Sequence, residues 1–160
     1  MSPFEIADDL GRGAYCGPTA IARLTGVPIS RIEEMIRHGR RGGYRDANGK
    51  RIPIRGTHHW ETLRVLDQLG CKVRPLKPGR CTLQAFAADT EHLGVPCLVL
   101  VTGHITTTFN GMQYEKIVVL AADSRRARAR VSNAWKVQAP ATPRYTVAAP
   151  AEPASEPVAP

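Results

Sequence analysis

The chain has 160 residues, a length that fits one domain with its own core. Apolar residues make up 42% and charged residues 22%, which excludes a mostly disordered chain, and no apolar run reaches the roughly 20 residues a membrane helix needs. The net charge is +8, and the segment from Ala139 onward holds only Arg144, Glu152 and Glu156, so the basic excess lies in the body. It either attracts anionic partners or is a solvated basic face.

The amino terminus, MSPFEIADDLGRGAY, lacks the charged-then-apolar pattern of a secretory signal. Gly11 and Gly13 open a loop that leads to Cys16, and Pro18 sits where a helix can begin without losing a hydrogen bond. TAIARLTG continues that helix, with Ile21 and Leu24 on one face and Gly26 as its stop. Ser30 with Glu33 three residues on predicts a capping box for a second helix striped by Ile32, Met35 and Ile36. Residues 39–56 read as a Gly- and Arg-rich loop. Thr57 is the expected cap of a third helix carrying Trp60, Leu63, Leu66 and Leu69, ended by Gly70.

CKVRPL reads as a strand, and Thr82 begins a short helix through Leu83 and Phe86. PCLVLV (96–101) is a continuous apolar run, as a buried strand requires. His104–Phe109 and the segment from Met112 flank Asn110-Gly111, a strong hairpin signal. YEKIVVLAA continues the sheet and residues 131–138 add a last strand. The expectation is an α+β domain over 1–138, with N-terminal helices packed on a C-terminal antiparallel sheet. Residues 139–160 form a Pro/Ala-rich extended tail, flexible by itself or held by an assembly partner.

Four cysteines show neither CxxC spacing nor a companion His cluster, so neither zinc nor a disulfide framework is expected. The chain reads as reduced and intracellular. Cys16 stands out because a thiol at a helix start feels unpaired amides and the positive end of the helix dipole, both of which favour the thiolate nucleophile. The competing reading is a small buried residue. His104, beside Gly103 at a strand start, is placed to take the thiol proton and return it to a leaving amine. A third group should accept the other imidazole N–H. Asp123 is the first choice. A two-residue Asn110-Gly111 turn pairs His104 with Ile117, however, and sets Glu115 diagonal to the histidine. Asn133 is a further candidate.

Cys16-Gly17-Pro18-Thr19-Ala20 at a helix start, then Gly103-His104 on a strand, then Asp123, resembles the papain-like cysteine peptidases. The likeness is nearest to bacteriocin-leader-cleaving peptidase domains and similar small bacteriophage-encoded proteins, and it spans about residues 9–137. It implies a papain-like fold and a cysteine peptidase or amidase without metal or organic cofactor. Cys16 would attack the carbonyl of a peptide or protein substrate, His104 would shuttle the proton and Asp123 would orient His104. It also implies a cytoplasmic setting in a bacterial or phage-infected cell, or a place in a virion. Members of the family usually carry a Gln shortly before the nucleophile that helps hold the oxyanion. Residues 8–15 here contain none, leaving the Cys16 amide and, as a substitute, Arg12.

Two other readings compete with the enzyme. One is a structural or interaction protein, such as a virion component, that keeps the peptidase fold without turnover. The other is a nucleic-acid-binding accessory protein. Its surface would be the run Arg125-Arg126-Ala127-Arg128-Ala129-Arg130, with Arg37, Arg40, Arg41, Tyr44, Arg45, Lys50, Arg51 and Arg55, although no nucleic-acid-binding signature accompanies them. His58-His59 point about 100° apart on a helix and are read as helix-start residues, not metal ligands.

Overall fold

The computed structural model describes residues 6, 9–10, 15–40, 48–50, 54, 56–115, 118–119 and 124–141, with the backbone alone at Thr90, Glu115, Val118 and Val119. Helix α1 (Cys16–Thr25) ends where the sequence supplies a residue free to turn left-handed: Gly26 has φ 71° and its N–H bonds the Ala22 carbonyl. Ile21, Ala22 and Leu24 are buried along it.

Helix α2 (Ile29–His38) starts two residues earlier than a Ser30 cap would set it. Pro28 is the N-cap, so Ser30 falls inside the first turn. The expected capping box is replaced by a distant carboxylate. Asp9 Oδ1 accepts from the Ser30 N–H at 3.0 Å, and Asp9 Oδ2 accepts from the Ser30 hydroxyl. Glu33 instead lies buried against Arg37, 2.7 Å away.

Helix α3 (His59–Gln68) has His58 as its N-cap, not Thr57. Its buried positions are Glu61, Thr62, Val65 and Leu66, and Trp60, two residues before Thr62 and about 200° around the helix, is 52% exposed. Trp60 therefore drops out of the expected stripe. Glu61 is a junction: it accepts from the His58 N–H at 2.9 Å and from Arg40 Nε and Nη2 at 2.6 and 3.0 Å. This ties the end of α2 to the start of α3.

Burial pushes the Glu61 carboxyl up, but the Arg40 hydrogen bond, the His58 amide and the Arg40 charge together hold it below its ordinary value. Its contribution to stability is full above the unfolded carboxyl pKa, about 4.3, and is lost as pH falls through the lower folded value. Glu61→Gln should lower stability at neutral pH by about 1.5–3 kcal/mol, the worth of hydrogen bonds to a charged group. The deficit should shrink below about pH 4, so thermal melts of the two proteins should converge there. A constant gap across pH would contradict this role.

Strands β1 (Lys72–Leu76), β2 (Cys97–Val101), β3 (His104–Phe109), β4 (Met112–Glu115), β5 (Val118–Val119) and β6 (Val131–Gln138) form one sheet among the described residues. Its order is β1-β6-β2-β3-β4-β5, antiparallel throughout. The last strand is thus central, between β1 and β2. Pro75, which cannot donate to a ladder, sits on the edge strand β1. Helix α4 (Leu83–Ala88) is capped by Thr82, whose Oγ1 accepts from the Ala85 N–H.

Alternation along the strands makes two cores. On one face Leu98, Ile105, Trp135 and Val137 meet Ile21, Val27, Ile32, Ile36 and Leu66 of the helical layer. On the other, Cys97, Val99, Val101, Val131 and Ala134 meet Leu83 and Phe86 of α4. Each fully buried Leu, Ile, Val or Phe contributes about 1.5–3 kcal/mol. The architecture is α+β, with three helices on one face of the sheet and α4 on the other. No helix among the described residues is long and apolar enough to cross a membrane.

Candidate active site

The site begins with the way α1 starts. Tyr15 is its N-cap, extended at φ −67° and ψ 160°, and no side chain caps the helix. The first helical hydrogen bond is Thr19 N–H to Tyr15 O at 3.2 Å. The amides of Cys16 and Gly17 therefore precede the helical ladder and point out of the helix end. α1 lies along β3, which carries the helix start to the Thr102-Gly103 turn between β2 and β3. Gly103, at φ 65°, supplies the left-handed backbone of that turn.

Here the N-termini of α1 and α3 and the β2–β3 turn enclose a cavity of about 380 Å³. Cys16 and His104 both line it, together with Thr57, His58, His59 and Ser132. The structure thus brings Cys16 and His104 to one cavity, from residues 88 positions apart in the chain. Cys16 is partly exposed and His104 is buried. Register sets His104 opposite Val101, on the face of Cys97 and Val99, whereas Ile105 packs toward the helices. That is the α4 face of the sheet, opposite the face on which α1 packs, so Cys16 and His104 reach the cavity from different faces at the end of the sheet, beside the turn.

The third member of the expected set, Asp123, lies outside the described residues, as does Arg12. The Asn110-Gly111 turn has two residues, with Phe109 opposite Met112 and φ of 48° and 78°, as the sequence predicts. The β3–β4 ladder ends at Thr107 and Tyr114, however, and Ile117, the expected partner of His104, lies outside the described residues. Glu115 pairs through its backbone with Val118 of β5. Asn133 is exposed on β6 opposite Leu100 and does not line the cavity.

His58 and His59 do start a helix, as read from sequence, but that helix start opens onto the cavity. The His59 ring stacks on Trp135 at 6.0 Å between centroids, and His58 stacks on Trp60 at the same distance. Thr57, expected as a cap, packs against Gly17 instead: a Cβ on Gly17 would overlap the Thr57 hydroxyl. No local pattern marks these three residues, because their place depends on how α3 docks against α1. The one available signal is Gly17 itself. A glycine in the first turn of a helix, where alanine is favoured, marks a close approach by something else.

The other thiols are set apart by burial, which pushes Cys71 and Cys97 up to about 11. Burial and the Asp89 carboxylate also raise Cys81. Two cations of the expected phosphate-binding zone are engaged inside the fold, Arg37 with Glu33 and Arg40 with Glu61. Arg41, Tyr44, Arg45, Arg51 and Arg55 lie outside the described residues, while Arg125, Arg128 and Arg130 are exposed. Comparison with known proteins gives no match: no family model, no curated protein and no solved structure is similar to this chain.

Proposed function

We propose that the chain is a cysteine-dependent hydrolase of amide bonds, a small peptidase or amidase of papain-like architecture. The observation that carries the reading is that Cys16, at the uncapped start of α1, shares one cavity with the buried His104. A peptide carbonyl entering this cavity meets a nucleophile, a proton carrier and outward-pointing amides together.

In the proposed reaction His104 accepts the Cys16 proton and Sγ attacks the carbonyl carbon, forming a C–S bond while the π electrons move to oxygen. The amides at the start of α1 hold the resulting oxyanion. Collapse of the intermediate breaks the C–N bond, and the amine leaves with the proton from the His104 imidazolium. Water, deprotonated by His104, then attacks the thioester. The acid is released and Sγ takes the proton back. Asp123 is assigned to orient His104 on the strength of the likeness set out above, and a peptide or protein segment is the substrate class.

The test is acyl-enzyme formation. Mixing the protein with p-nitrophenyl acetate and digesting the quenched product should place an acetyl group on Cys16, with a burst of p-nitrophenol that Cys16→Ala lacks. Neither burst nor adduct in the wild type would overturn the hydrolase reading and leave a binding or structural protein.

A further inference from the structure

The hydroxyl of Thr57 is the feature of the cavity that the reaction above leaves without a task. Thr57 stands immediately before the N-cap of α3 and does not cap that helix. Its Oγ1 is buried from solvent and makes no hydrogen bond among the described residues. A buried hydroxyl without a partner costs about 1–3 kcal/mol, so a fold that keeps one has a use for it or a ligand to meet it.

Its position is specific. Thr57 lines the cavity with Cys16 and His104, and it lies against the Cα of Gly17, the residue directly after the nucleophile. Only a glycine there admits it, since an added Cβ would overlap both Oγ1 and Cβ of Thr57. The amides of Cys16 and Gly17 leave the helix end at the same place. A carbonyl carbon bonded to Cys16 Sγ would set its oxygen near the helix-start amides, and a rotation of the Thr57 side chain about χ1 would turn Oγ1, closed off from solvent in this structure, toward that oxygen. Those amides are the backbone part of an oxyanion site, and the stretch before Cys16 offers no Gln or Asn to add a side-chain donor.

We infer that Thr57 Oγ1 is the side-chain oxyanion donor of this site, acting with the helix-start amides on the tetrahedral intermediate formed at Cys16. The inference rests on the hydrolase reading and adds to it a residue that touches the reacting oxygen. The hydroxyl donates its proton in a hydrogen bond and keeps it. No bond to Thr57 is made or broken, and the group needs no ionisation, so its effect should be independent of pH.

The test separates oxyanion stabilisation from nucleophile activation. Alkylation of Cys16 by iodoacetamide displaces iodide at a saturated carbon and creates no oxyanion, whereas acylation by p-nitrophenyl acetate does. Thr57→Val has nearly the same shape without the donor, and Thr57→Ser keeps the donor. We expect Thr57→Val to slow acylation by about 10²–10³-fold, the usual effect of losing one oxyanion donor, with the alkylation rate at Cys16 unchanged. Thr57→Ser should recover most of the acylation rate. Equal acylation by wild type and Thr57→Val would overturn the assignment while leaving the hydrolase reading intact. A parallel loss of acylation and alkylation in Thr57→Val would overturn it too, by showing that Thr57 only supports the packing of α1. Absence of Cys16-dependent acylation in the wild type would remove the hydrolase reading and the Thr57 role together.

Discussion

Replacing His104 with alanine should slow acylation of Cys16 by about 10²–10⁴-fold, the range a positioned general base contributes, whereas His59→Ala should leave the rate near that of the wild type. The contrast matters because three imidazoles border the cavity. His58 and His59 are exposed at the start of α3, with their rings stacked on Trp60 and Trp135. His104 is buried at a strand end held by the Gly103 turn, with its backbone fixed opposite Val101. Stopped-flow burst kinetics on the two variants reads the difference. A large loss in His59→Ala with none in His104→Ala would move the base to α3 and with it the orientation of the whole site.

Gly17→Ala should destabilise the protein by about 1–3 kcal/mol, the cost of overpacking, although the same change in an open helix gains up to about 1 kcal/mol. The reversal of sign comes from one contact. The new Cβ would overlap the Thr57 hydroxyl and lie 2.8 Å from Thr57 Cβ, so α1 and α3 could not keep their present approach. Since both helix starts border the cavity, catalysis should fall along with stability. Thr57→Gly removes the atoms that the new methyl meets, so Gly17→Ala combined with Thr57→Gly should recover stability relative to the sum of the single changes. Chemical denaturation of the four proteins measures that coupling. Additive effects would show that the two residues do not press on each other.

Much of the fold is legible in the sequence wherever the signal is local. Gly26 ends α1, Thr82 caps α4, Asn110-Gly111 makes the two-residue turn, and residues 131–138 are a strand with those bounds. What could not be read locally is what depends on distant partners. Asp9 supplies the cap of α2 that Ser30 and Glu33 were expected to make, because Pro28 starts that helix early and Glu33 is drawn to Arg37. β6 is central and not peripheral, since strand order is set by which apolar faces meet and not by chain order. Helical periodicity could not have shown that the aromatic Trp60 turns outward while Glu61 goes in, because Arg40, whose ion pair offsets the burial of the carboxylate, comes from the segment just after α2.

The candidate site divides in the same way. Cys16 and His104 are recognisable because each sits at an element boundary marked by its neighbours, Pro18 for the helix and Gly103 for the strand. Thr57 was legible as a polar residue at a helix start, which it is, but the sequence assigned its hydroxyl to the wrong helix. It faces Gly17 of α1, not the amides of α3.

The most direct test of the account is the rate of Cys16 alkylation by iodoacetamide as a function of pH, in the wild type and in His104→Ala, with the site of labelling mapped. An ordinary thiol loses reactivity below its pKa of about 8.5. The wild type should keep a high rate at Cys16 near neutral pH, His104→Ala should lose this rate, and the two should converge in alkali. Superimposable pH profiles, or a Cys16 that does not react in either protein, would contradict a shared Cys16–His104 site.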